Sequence, residues 1–102
     1  MPVEHAILVK FTYGLDTLDA LFELEDALTE ALERAGVGEY DGNDIAADLS
    51  EGTLYMYGPD ADALIAVAMP LLKSAPFMRG ARYSCRYGDA ADPSAKEVQS
   101  TI

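Results

Sequence analysis

At 102 residues the chain has room for one domain around one core. Half of its residues are hydrophobic, six are tyrosines and three phenylalanines, which excludes a disordered segment. Acidic residues outnumber basic ones 18 to 7, and the net charge of −11 disfavours non-specific contact with phosphate backbones or anionic membranes. No apolar run approaches the roughly 20 residues that a membrane helix needs. The stretch from Met1 to His5 has no basic region ahead of an apolar one, so no secretory signal is expected. Cys85 is the single cysteine; it cannot form an internal disulfide and fits a reducing, cytoplasmic setting.

Residues 3–13 alternate. Val3, His5, Ile7, Val9, Phe11 and Tyr13 share one face, and Glu4, Ala6, Leu8, Lys10 and Thr12 the other. Period two with β-branched and aromatic residues predicts a strand with one face on a core. Gly14, Leu15 and Asp16 turn the chain, with Asp16 or Thr17 as the expected N-cap of a helix over 17–35. Its apolar arc holds Leu18, Leu21, Leu24, Leu28, Ala31, Leu32 and Ala35, opposite Asp19, Glu23, Asp26, Glu30 and Glu33. Phe22 falls on the flank as an exposed aromatic, and Gly36 stops the helix.

Residues 39–58 predict two strands joined by a hairpin turn over 48–52. The first of them, near Tyr40 to Ala47, carries Gly42 and several acids, which suit an edge strand. Gly58-Pro59-Asp60 ends the second and caps a helix over about 60–75. Leu64, Val67, Ala68, Leu71 and Ala75 form its expected buried stripe, and Pro70 predicts a kink or an early end. The next strand covers about 80–87, with Ala81, Tyr83, Cys85 and Tyr87 alternating against Arg82, Ser84 and Arg86. Residues 89–102 form a C-terminal tail, with a short edge strand possible over 98–102.

The order strand, helix, strand, strand, helix, strand predicts a single ferredoxin-like α+β domain over 1–88. It is a βαββαβ unit in which two helices cover one face of a four-stranded antiparallel sheet.

The run Gly36-Val37-Gly38-Glu39-Tyr40-Asp41-Gly42-Asn43, the run from Leu54 through Gly58-Pro59-Asp60 to Leu64, and Arg86-Tyr87-Gly88 carry a resemblance. Together they resemble a family of small acidic bacterial proteins that has no assigned activity, so no catalytic residue is implied. Glu4-His5-Ala6-Ile7-Leu8-Val9-Lys10-Phe11 is also similar to the first strand of dimeric α+β barrel domains. That resemblance implies the same topology, a pairing of two open sheets, and in some members a small-molecule pocket between sheet and helices.

Parity gathers Leu8, Lys10, Thr12, Tyr55, Tyr57, Arg82, Ser84 and Arg86 on the face turned away from the helices. Aromatics beside cations can grip an anionic ligand, read bases, or seal a seam between chains. The acidic balance argues against nucleic acid, and no membrane partner is expected. Lys10, Tyr55, Tyr57, Arg82 and Arg86 are therefore the expected binding residues, for a protein partner or a homodimer. The acidic face of the first helix offers a second surface, of the kind an inhibitor of a basic enzyme would use.

Asp41, Asn43, Asp44, Asp48 and Glu51 fail as a calcium loop: counted from Asp41, its fifth and sixth positions hold Ile45 and Ala46 rather than an oxygen ligand and glycine. Gly36, Gly38 and Gly42 close a helix instead of opening one, unlike a phosphate cradle. No metal and no cofactor is expected. His5, the one histidine, is the candidate catalytic residue of the alternative reading, a small-molecule binder or enzyme with a pocket beside it. Cys85 alternates with tyrosines on the core face and reads as a small buried hydrophobe.

Overall fold

The computed structural model describes residues 4–102; Val3, expected to begin the first strand, lies outside them. The chain order is β1 (His5–Thr12), α1 (Asp19–Ala35), β2 (Glu39–Ile45), β3 (Glu51–Gly58), α2 (Ala61–Ser74), a 3₁₀ turn (Pro76–Met78), β4 (Arg82–Arg86) and β5 (Glu97–Thr101). The strands form one antiparallel sheet in the order β2-β3-β1-β4-β5. The fold is α+β with a five-stranded sheet, where four strands were expected. The extra strand is the end of the tail, which pairs with the free edge of β4. Val98, placed there on the helix side of the sheet, is 40% exposed because neither helix reaches it.

β1 is central, and its alternation decides the layering. Ile7 lies between Met56 and Cys85, and Val9 between Leu54 and Tyr83, so these side chains share the face that meets the helices. Leu21, Leu24, Leu28 and Leu32 of α1 close the core from above, with Ala61, Leu64, Ala68 and Leu72 of α2. Burying each of the leucines contributes about 1.5–3 kcal/mol. The α2 stripe runs through Leu72, not Leu71, which sits half-buried on the flank. Pro70 does not end α2, because it lies on the solvent side of the helix. The carbonyl one turn back, at exposed Ala66, can be satisfied by water.

Both helix starts depend on side chains of β1 and its end. Neither Asp16 nor Thr17 is the N-cap of α1; Leu18 occupies that position and supplies no side-chain bond. The Tyr13 hydroxyl stands in, accepting from the Leu21 amide at 3.4 Å while donating to the Thr17 carbonyl at 2.5 Å. At α2 the Asp60 carboxylate accepts from the Asp62 amide, and His5 Nδ1 accepts from the Ala61 amide at 3.0 Å. Ala61 is fully buried, so that amide needs a partner. At the far end of α1, Gly36 adopts the left-handed conformation (φ 67°) and closes the helix through bonds to the Leu32 and Glu33 carbonyls, as expected.

Tyr13→Phe keeps the ring in the core and removes only the cap. It should cost about 1 kcal/mol, the usual worth of an N-cap, in reversible denaturation. A stability equal to wild type would show that the hydroxyl does not hold the start of α1.

Candidate functional site

Three questions decide what this fold can do: which polar groups its own packing consumes, which stay free, and where the free ones meet. The helix side is largely consumed. His5 spends Nδ1 on Ala61, which leaves its proton on Nε2, and its ring stands edge-on to Tyr87 with centroids 5.7 Å apart. The Tyr87 hydroxyl donates to Asp62 Oδ1 at 2.7 Å, tying the end of β4 to the first turn of α2. Cys85 is buried beside them, and burial pushes its thiol up, away from the nucleophilic thiolate form. A hydroxyl and a carboxylate thus stand near His5 as a lock between the end of β4 and α2. Two clefts lie elsewhere, on the opposite face of the sheet, and His5 lines neither.

A second lock joins α1 to β2. Glu25 Oε2 accepts from the Tyr40 hydroxyl at 2.6 Å and from Asn43 Nδ2 at 2.9 Å. Tyr40 and Asn43 both point to the helix side although they are three apart, because the ladder slips by one residue between Tyr40 and Gly42.

The opposite face is uncovered among the described residues, and the registers fix its layout. Across one line stand Glu39, Tyr57, Ala6, Arg86 and Glu97; across the next, Gly42, Tyr55, Leu8, Ser84 and Gln99; across the third, Asp44, Thr53, Lys10, Arg82 and Thr101. Tyr55, Tyr57, Leu8, Ser84 and Arg86 are half-buried. Ala6 is fully buried although it faces away from the helices, since larger Tyr57 and Arg86 flank it. Lys10, Tyr55, Tyr57, Arg82 and Arg86, the expected binding residues, do share this face, but not one spot. Lys10 and Arg82 are direct neighbours, whereas Arg86 lies four residues, about 13 Å, along β4 and donates from Nε to the Gly88 carbonyl.

The larger of the two clefts, of about 540 Å³, lies at the Lys10 end of the face. Lys10, Arg79 and Arg82 line one side of it, and Asp44 and Glu51 stand on the strands across from them. Arg79 enters from the turn before β4, a placement that alternation within strands could not give. The sequence places Asp44 on an edge strand and Glu51 in a turn; the registers with Thr53 and Thr12 carry them onto the open face.

No family model matches the chain, and no curated protein matches it. Among solved structures it is similar to one described as the structure of Rv0793 from Mycobacterium tuberculosis. The identity is 14%, the match covers 97% of this chain and 94% of that one, and the TM-score is 0.53. At that identity the likeness shows the fold alone.

Tyr40 and Tyr87 both hold their protons above the ordinary tyrosine range. For Tyr40 the main cause is burial, followed by the bond to Glu25; for Tyr87 it is the bond to Asp62, followed by burial. With folded values raised, the stabilisation is complete below the unfolded value of about 10 and is lost as pH climbs above it, because only the unfolded chain releases these protons. Tyr40→Phe combined with Tyr87→Phe should therefore flatten the decline of denaturation midpoint between pH 8 and pH 11. An unchanged slope would mean that neither hydroxyl is held by its carboxylate.

Proposed function

We propose that this chain is a small acidic, non-enzymatic association module, working in the cytoplasm, that pairs with a second copy through its open sheet face. The observation that carries it is the division of charge across that face. Glu39, Asp44 and Glu51 lie on the β2–β3 flank, and Arg82 and Arg86 on β4. A two-fold axis running along β1 sets each flank over the other copy's opposite flank, with Tyr57 over Arg86 in position for a cation–π contact. An axis across the strands would instead set Arg82 over Arg86, like charge on like. In the favoured arrangement Glu39 meets Glu97 at the outer rim, where water screens them. Lys10 meets its own copy at one end of the axis, a like-charge contact that weakens the pairing. Tyr55, Leu8 and Ala6 supply the apolar centre.

The first four strands and the two helices fit a ferredoxin-like unit with an added edge strand, which leaves one face free for such pairing. The first-strand similarity to dimeric α+β barrel domains supports the same reading. The motif strings support membership of the family of small acidic bacterial proteins, which adds no activity. A ligand pocket at His5 has less behind it, because the ring nitrogen that faces the protein already caps α2. An inhibitor role for the acidic face of α1 rests on charge alone.

Arg82→Glu with Arg86→Glu reverses the basic flank without touching the core. In multi-angle light scattering the wild type should run as a dimer and the double variant as a folded monomer. A double variant that keeps the wild-type mass would refute pairing through this face.

A further inference from the structure

The cleft at the Lys10 end poses an electrostatic problem that the fold does not resolve. Lys10 and Arg82 are directly opposed across β1 and β4, so their Cβ atoms stand only about 5 Å apart, an arrangement that costs stability for like charges. Arg79 adds a third cation to the same cleft. The chain has seven basic residues and eighteen acidic ones, yet these three have no ion-pair partner among the described residues, where the one ion pair joins Arg34 to Glu30 on α1. The nearest acid in register, Glu51, stands diagonal to Lys10 on the adjacent strand, about 7–8 Å away. It forms no ion pair with Lys10 among the described residues. Asp44 is two strands from Lys10 and three from Arg82, about 10 and 14 Å across the sheet.

We infer that the cleft between Lys10, Arg79 and Arg82 binds a small molecule through a single oxyanion head, a phosphate or a carboxylate. Two guanidinium forks and an ammonium supply enough donors to surround one such head, and arginine matches its planar oxygen pairs bidentately. Binding would also remove the repulsion between Lys10 and Arg82. Asp44 and Glu51 on the facing side repel any second negative group, which selects a small single-headed ligand over nucleic acid or a polyphosphate. A volume of about 540 Å³ suits a ligand of that size. The site is complete within one chain and does not require the faces to pair.

The test is titration of the wild-type protein with sodium phosphate, and separately with sodium acetate, at constant ionic strength set by sodium chloride. Backbone amide shifts are the readout. Saturable shifts centred on Lys10, Thr53, Gly80 and Arg82 are expected with at least one of the two, and which one saturates separates a phosphate head from a carboxylate head. Lys10→Met with Arg79→Gln should weaken that binding roughly tenfold or more, as loss of charge-assisted bonds does. Lys73→Gln with Lys96→Gln makes the same change in net charge on exposed residues outside the cleft and should leave the affinity within about twofold. If the first double variant gives an unfolded spectrum, Arg79→Gln alone takes its place. Shifts that never saturate with either anion, or an equal loss in both double variants, would overturn the proposal. Sedimentation of the same samples reads association separately, so failure of the anion site and failure of face pairing give different results.

Discussion

Both helices of this protein are started by side chains that β1 and its end provide. His5, at the beginning of the strand, takes the buried amide of Ala61 at the start of α2. Tyr13, one residue past its end, takes the Leu21 amide at the start of α1. Eight residues apart, the two have the same parity and point to the same side, so one extended segment fixes where both helices begin over the sheet. Core packing supplies most of the stabilising free energy, but apolar contacts are non-directional. These two directional contacts, with the Asp60 cap of α2, tie the first turn of each helix to one end of β1.

That constraint has a consequence for function. His5, the helix-side residue that the sequence nominates for chemistry, is taken by a helix start. Polar groups around the same core are taken too: Tyr13 by the start of α1, Tyr87 by Asp62, Tyr40 by Glu25. On the other side Lys10, Tyr55, Tyr57 and Arg82 have no side-chain hydrogen bond among the described residues, and Arg86 bonds only to its neighbouring backbone. Function is therefore sought where the fold has left polar and aromatic groups uncommitted. Two uses of that face are compatible in outline: its apolar middle and divided flanks suit a second copy, while the crowded cations at one end suit a small anion.

Much of this was legible in the sequence, because period-two alternation in β1, β3 and β4 sorts side chains between faces without any knowledge of pairing. The leucine arc of α1, the Gly36 stop and the exposed Phe22 followed from helical periodicity. What escaped were effects carried by partners distant in sequence. The start of α1 shifted to Asp19, where Thr17 Oγ1 accepts the Asp19 amide and the distant Tyr13 hydroxyl accepts the Leu21 amide, both at 3.4 Å. Nothing near Asp16 announces the second contact. Of the two outcomes expected at Pro70, an early end does not occur, because the residue lies on the solvent side of α2, where water can satisfy the freed carbonyl. β5, at Glu97–Thr101, was half legible: an edge strand over 98–102 could be named, but five exposed residues with little apolar signal do not fix it until β4 offers an edge. The cation cleft was half legible: Lys10 and Arg82 came from alternation, whereas Arg79, Asp44 and Glu51 needed the turn and the registers.

Leu8 lies at the centre of the open face, between Tyr55 and Ser84, and close to the axis about which two copies would pair. Mild oxidation of Leu8→Cys tests the pairing most directly, with Phe22→Cys, an exposed position on α1 away from that face, as the comparison. The account predicts rapid formation of a disulfide-linked dimer from Leu8→Cys and none above background from Phe22→Cys. No linkage at Leu8, or equal linkage at both positions, would contradict it.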